Sequence, residues 1–285
     1  MKADLFTLGA IFLWASLASL ATLLSDIPPF LLTGIGLIIG GLVSLPALRS
    51  GIKPWKVPLK TLLIGVYGLF GYHFMLFLAL QTAPAVEANL VNYLWPLLIV
   101  LLAPVFTKSL SLNFRYVLAA ISGFAGAVLA ITSGGSEFGF SSIELGYFFA
   151  LAAAVIWATY SLATTKVPSF PTPAIGLFAL VSGVLAIGAH FVFEPAASIS
   201  TTDWLLLLVL GVGPLGGAFY LWDAALKIGD PRRIGLLAFL TPLLSTALLV
   251  VVSGNSLSWQ LLLATGLIVG GALLGPRVSG GSKTK

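Results

Sequence analysis

Residues 60–87 read KTLLIGVYGLFGYHFMLFLALQTAPAVE. Lys60 and Glu87 bracket 26 residues without a formal charge, and about 20 apolar residues carry a helix across the hydrocarbon core of a bilayer. The run has none of the strict apolar–polar alternation of a barrel strand, so a membrane-spanning helix is expected. The same punctuation recurs along the chain. Uncharged stretches of 21 and 22 residues lie between Asp4 and Asp26 and between Asp26 and Arg49, and one of 43 residues lies between Arg233 and Arg277. That last stretch is interrupted by the turn-like Ser253-Gly254-Asn255-Ser256.

Ten crossings result, at 5–25, 28–48, 59–81, 84–106, 114–132, 145–165, 173–193, 203–227, 232–252 and 258–275. Composition agrees. The 285 residues are 59% hydrophobic and 8% charged, with a mean hydropathy of +1.09, whereas soluble domains carry about 25% charged residues. The expected fold is all-α, a polytopic membrane protein in which lipid is the main solvent. The segment Leu5–Leu24 is too long for a signal-peptide core and reads as a retained first helix.

Orientation follows from the basic residues. With the N-terminus in the cytoplasm, all 14 Lys and Arg fall on inner segments, while Asp26, Glu137, Glu144, Glu194 and Asp203 fall on outer ones. The net charge of +5 is therefore a topological signal and not a nucleic-acid patch. Both termini are expected inside.

The two halves of the sequence match. At an offset of 146, Gly65-Val66, Leu69, Gly71, Ala79-Leu80, Leu94 and Pro96-Leu97-Leu98 fall on Gly211-Val212, Leu215, Gly217, Ala225-Leu226, Leu240 and Pro242-Leu243-Leu244. With small gaps, Trp14-Ala15 falls on Trp157-Ala158 and Gly126-Ala127 on Gly271-Ala272. Five helices per half is an odd number, so a second repeat over 139–285 is expected inverted relative to the first over 1–138. Inverted repeats around a central site are a recurrent plan of secondary transporters.

Here the sequence resembles the drug/metabolite transporter superfamily, in the group with paired EamA repeats. The resemblance rests on the five-plus-five plan, the Leu13-Trp14-Ala15-Ser16 stretch and the prolines of the fourth and ninth helices. The stretch Glu87-Ala88-Asn89-Leu90-Val91-Asn92-Tyr93-Leu94-Trp95-Pro96-Leu97 resembles the aromatic amino acid exporters of that group. The resemblance implies alternating-access efflux of aromatic amino acids from the cytoplasm, in the bacterial cytoplasmic (inner) membrane. An exporter of other metabolites or cationic drugs is the alternative, with Glu87 or Asp223 as counter-ion.

Candidate substrate contacts concentrate in the third and fourth helices: Tyr72, His73, Asn89, Asn92, Tyr93 and Trp95. Asn89, Asn92 and Pro96 share one helical face, and amides in lipid need partners, so that face is expected inward, as cavity lining or as interhelical glue. Two readings stand for His73: a site residue, or a neutral ring bonded to a neighbouring hydroxyl or carbonyl. Trp14, Trp95 and Trp157 lie deep in their helices, and Tyr160 and Tyr220 are expected on the same aromatic wall. Trp55, Trp204 and Trp259 read as interfacial belt residues. Glu87 and Asp223 are either proton carriers or, preferably, solvated vestibule charges. Gly36 and Gly40 mark a close helix crossing or a dimer face.

Several classes are disfavoured. Cysteine is absent and only two histidines are present, which leaves no constellation for an intramembrane enzyme or a metal site. No phosphate-binding glycine loop occurs. No cofactor, nucleic acid or obligate protein partner is expected, only a small-molecule substrate and the bilayer.

Overall fold

The computed structural model describes residues 1–49, 51–133, 144–252 and 258–274, and among them the regular structure is entirely helical. The helices are α1 (Lys2–Leu23), α2 (Pro29–Leu42), α3 (Leu59–Thr82), α4 (Ala85–Phe106), α5 (Phe114–Thr132), α6 (Leu145–Ala163), α7 (Ala174–Phe193) and α8 (Thr201–Ile228). They are followed by α9, made of Pro231–Ala238 and Leu240–Val252, and by α10 (Trp259–Leu274). Seven of these, α1 and α3 to α8, are long and apolar enough to cross a bilayer, and α2 and α10 are shorter apolar helices. The chain is a polytopic membrane protein. The turn expected at 253–256 lies outside the described residues.

Local chemistry sets the ends. Pro29 opens α2, where its missing N–H costs nothing. Beyond Leu42, Ser44 Oγ donates to Gly41 O and a short 3-10 turn over Leu45–Leu48 replaces the helix expected to continue to residue 48. Asn113 caps α5, a Ser200–Asp203 capping box opens α8, and Asp230 caps α9. Interruptions inside helices have causes too. Pro96 and Pro242 cannot donate to the carbonyls of Asn92 and Ala238 four residues earlier, and α4 and α9 break at Tyr93 and Phe239.

Several local features recur along the chain at one constant spacing. Residues Tyr67–Gly71 of α3 and Gly213–Gly217 of α8 are π-helical turns. Those turns, the α4 and α9 breaks, and the ends at Thr82 and Ile228 and at Phe106 and Val252 all lie 146 residues apart. Packing follows the same exchange: α2 packs on α7, α5 on α10 and α4 on α9, while α1 packs on α8 and α9 as α6 packs on α3 and α4.

Glycine permits the closest approaches. A Cβ at Gly68 would sit 2.2 Å from Tyr160 Cγ, so the Tyr160 ring fills the notch that this glycine leaves in α3. Gly36 and Gly40 face Leu215 and the π turn of α8 within the same chain. The glycine pair therefore serves an internal crossing.

One polar clamp joins α2 to α7. Glu194, just beyond α7, accepts from the free main-chain N–H groups of Phe30 (2.7 Å) and Leu31 (3.2 Å) at the start of α2. The buried His190 Nδ1 lies 2.9 Å from the same carboxylate. Glu194→Ala leaves two helix N–H groups and a histidine without their acceptor. It is expected to destabilise the chain by about 2 kcal/mol, read as a lower unfolding temperature in detergent.

Candidate functional site

α1, α4, α6 and α8 each bring one tryptophan to the middle of the bundle. Trp14 lies 5.7 Å from Trp157, 6.3 Å from Trp95 and 5.2 Å from Trp222 between ring centroids. Phe219 joins them, 6.0 Å from Trp14 and 5.7 Å from Trp157, and Tyr72 lies 5.2 Å from Trp157. The Trp14 contacts with Trp95, Trp157 and Phe219 are edge-on, the arrangement that ring quadrupoles favour.

The π turns hold two of the rings in place. Trp14 Nε1 donates to Pro214 O in the α8 turn (3.1 Å), and His73 Nδ1 is bonded to Leu69 O in the α3 turn (2.6 Å). A carbonyl only accepts, so His73 Nδ1 carries a proton. This is the bonded-ring arrangement weighed for His73, and it still leaves the rest of the ring on the cavity wall. Trp222 Nε1 donates to Ser161 Oγ at 3.1 Å. Asn92 Nδ2 donates to Tyr72 Oη at 3.2 Å and so ties α4 to α3.

Beside these rings lies a cavity of about 380 Å³ lined by Trp14, Tyr72, His73, Asn89, Asn92, Tyr93, Trp95, Trp157 and Phe219. Its size falls in the range of small-molecule sites, about 300–1,000 Å³. Leu17, Ala18, Ala21, Leu80, Ala85 and Ser245 continue the lining towards the end of the bundle that carries the α1–α2 and α3–α4 turns. Among the described residues, no Lys, Arg, Asp or Glu lines it.

The opposite end is tied together by charge. Arg233 on α9 donates to Asp4 on α1 (2.7 and 3.3 Å), Arg232 pairs with Asp230 (2.6 Å) and also donates to Ser111 O, and Lys227 pairs with Asp223 (2.5 Å). Thr172, before α7, donates to the same Asp223 oxygen (2.7 Å), and Lys227 stands over the Phe170 ring at 4.0 Å.

The sequence profile of the EamA-like transporter family matches residues 1–132 and again 144–275. The chain belongs to the EamA-like transporter family. It is 42% identical over 95% of its length, and 96% of the relative's, to the aromatic amino acid exporter YddG of Ancylobacter novellus. It is 28% identical to the exporter of that name from Escherichia coli K12, over 96% of each chain. A solved crystal structure superposes with a TM-score of 0.90 at 41% identity, covering 95% of both chains.

In this EamA-like transporter, Trp14, Tyr72, His73, Asn89, Asn92, Tyr93, Trp95 and Trp157 meet at one cavity, and Tyr160 and Tyr220 do not line it. Tyr160 is turned into the Gly68 notch behind Trp157, and Tyr220 Oη donates to Gly40 O at 2.9 Å across the α2–α8 crossing. The charged candidates are not solvated. Glu87 is 5% exposed and Asp223 3% exposed, and neither lines the cavity. Glu87 lies in the first turn of α4, where a carboxylate complements the helix dipole, and that turn packs on α6. Asp223 is covered because the Lys227 and Thr172 side chains close over it. Trp222 (1% exposed), Phe219, Thr241 and Ser245 escaped the sequence reading. The one signal for Trp222 was a tryptophan deep in an apolar run, masked by the adjoining Asp223. Among the belt tryptophans, Trp204 and Trp259 are exposed, whereas Trp55 Nε1 donates to Ser44 Oγ (3.2 Å) and Pro173 O (3.1 Å) and joins α2 to α7.

Proposed function

We propose that this chain exports aromatic amino acids across the bacterial cytoplasmic membrane by alternating access between two inverted five-helix repeats, residues 1–138 and 139–285. The observation that carries the reading is the cavity: tryptophan and phenylalanine rings together with amide, hydroxyl and imidazole groups, and, among the described residues, no charged side chain in the lining. Flat apolar cargo with a polar end fits such a wall. The names of the relatives support the same substrate class.

The plan of ten crossings, with both termini cytoplasmic, is supported by the distribution of basic residues and by the helix ends repeated at 146 residues. The double family match supports the two repeats. In that orientation the cavity opens outward, and the Asp4–Arg233, Asp230–Arg232 and Asp223–Lys227 pairs close the cytoplasmic end. The cationic-drug alternative loses its counter-ions, because Asp223 is already paired and Glu87 does not line the cavity.

The test is uptake of labelled phenylalanine and tryptophan into proteoliposomes, with and without a pH gradient. Saturable uptake of both is expected, reduced about tenfold in Trp95→Ala by loss of one wall of the box. Its response to the gradient reads proton coupling. Well-folded protein that moves other metabolites but neither aromatic amino acid would reject the substrate class while leaving the transporter fold standing.

A further inference from the structure

The polar wall of the cavity has a fixed hydrogen-bond polarity. His73 Nδ1 is committed to Leu69 O, so in the neutral ring Nε2 is left as an acceptor. The amide nitrogen of Asn92 is committed to Tyr72 Oη. Its Oδ1 is buried and has no hydrogen-bond partner, and the residue is 3% exposed. Two lone-pair acceptors therefore stand on residues of neighbouring helices that both line the cavity, and among the described residues no carboxylate in the lining competes with them.

Such a wall matches a group that only donates. An ammonium has three N–H donors and a charge that aromatic faces stabilise, and the ring box adjoins the acceptors: Tyr72 lies 5.0 Å from His73 and 5.2 Å from Trp157. We propose that His73 Nε2 and Asn92 Oδ1 receive the α-ammonium of the amino-acid substrate, with its side-chain ring lying against Trp14, Trp95, Trp157 and Phe219. The assignment rests on the aromatic amino acid reading above and adds the orientation of the cargo. It makes the amino group a specificity element, because a deaminated analogue leaves buried acceptors unpaired. Phe219 occupies the position equivalent to His73 in the other half, so a phenyl ring is a reasonable replacement for packing.

The experiment is counterflow of labelled phenylalanine by the full chain in proteoliposomes, competed by unlabelled phenylalanine, 3-phenylpropanoate and phenethylamine. In the wild type, 3-phenylpropanoate is expected to need at least about tenfold more than phenylalanine for half-inhibition, and phenethylamine less than 3-phenylpropanoate. His73→Phe should narrow the gap between phenylalanine and 3-phenylpropanoate by weakening phenylalanine alone, and His73→Gln, which keeps an acceptor, should retain most of it. Equal competition by phenylalanine and 3-phenylpropanoate in the wild type, a result that needs no variant to fold, would overturn the proposal. A His73→Phe protein that discriminates as the wild type does would also overturn it. So would a loss confined to tryptophan, which would give Nε2 to the indole N–H instead. No saturable phenylalanine flux in the wild type is a different failure, that of the substrate class itself.

Discussion

Trp157→Ala is expected to lower aromatic amino acid transport by about thirtyfold or more, with the folded protein still recovered from the membrane. Trp157 is the ring to which most of the others are referred: Trp14, Tyr72, Tyr160 and Phe219 all lie within 5.7 Å of it, and Trp95 and Trp222 at 6.4 Å. Removing it takes away a wall of the cavity and also the surface against which Tyr72 stands, so the Tyr72–Asn92 bond loses its support. Trp157→Phe keeps an aromatic face and should retain a large part of the flux. The check is initial-rate uptake at several phenylalanine concentrations for the three proteins. If Trp157→Ala transports as the wild type does, the rings are bundle filler and the cargo lies elsewhere.

The second large effect is structural. Gly40→Val should prevent recovery of folded protein. A Cβ at Gly40 would meet Leu215 O at 2.5 Å, Gly216 Cα at 2.8 Å and Gly211 O at 2.9 Å. All three are main-chain atoms of α8, and no rotamer change moves them. They also belong to or adjoin the π turn that holds Trp14 through Pro214 O, so forcing α2 away disturbs the cavity as well. Overpacking at such a site costs about 3 kcal/mol or more, a large part of the stability of an ordinary domain. Gly188→Ala is the control, since nothing lies within 4 Å of a Cβ there. It should behave as the wild type or gain slightly in helix stability. Yield of monodisperse protein in detergent, with its unfolding temperature, separates the two outcomes.

The course of the helices was legible because charge is so scarce. Lys60, Glu87, Lys108 and Arg115 bound their segments almost to the residue, since a charge in lipid is costly and a stretch between charges has few ways to fold. The 146-residue offset was legible from Pro96 and Pro242, and the same prolines break α4 and α9. The π turns were not legible, because Tyr67–Gly71 and Gly213–Gly217 differ from α-helical sequence only in glycine and one proline. Side-chain direction was the other gap. Tyr160 and Tyr220 sit at depths that suit a cavity wall, yet one fills the notch at Gly68 and the other bonds across to Gly40. Which face of a helix looks inward depends on its partners, and those are fixed by glycine notches on other helices. Asp223 shows the same dependence, since Lys227 four residues on could be foreseen as its partner while Thr172, from before α7, could not.

Counterflow tests the central claim most directly. Proteoliposomes holding the wild-type chain are loaded with unlabelled phenylalanine, diluted into a trace of labelled phenylalanine, and followed as the label enters and leaves. A carrier that alternates between two faces should accumulate label transiently above equilibrium, saturably, and fail to do so when Trp157 is replaced by alanine. Label that only equilibrates, at a rate proportional to concentration and indifferent to Trp157, would contradict alternating access through this cavity.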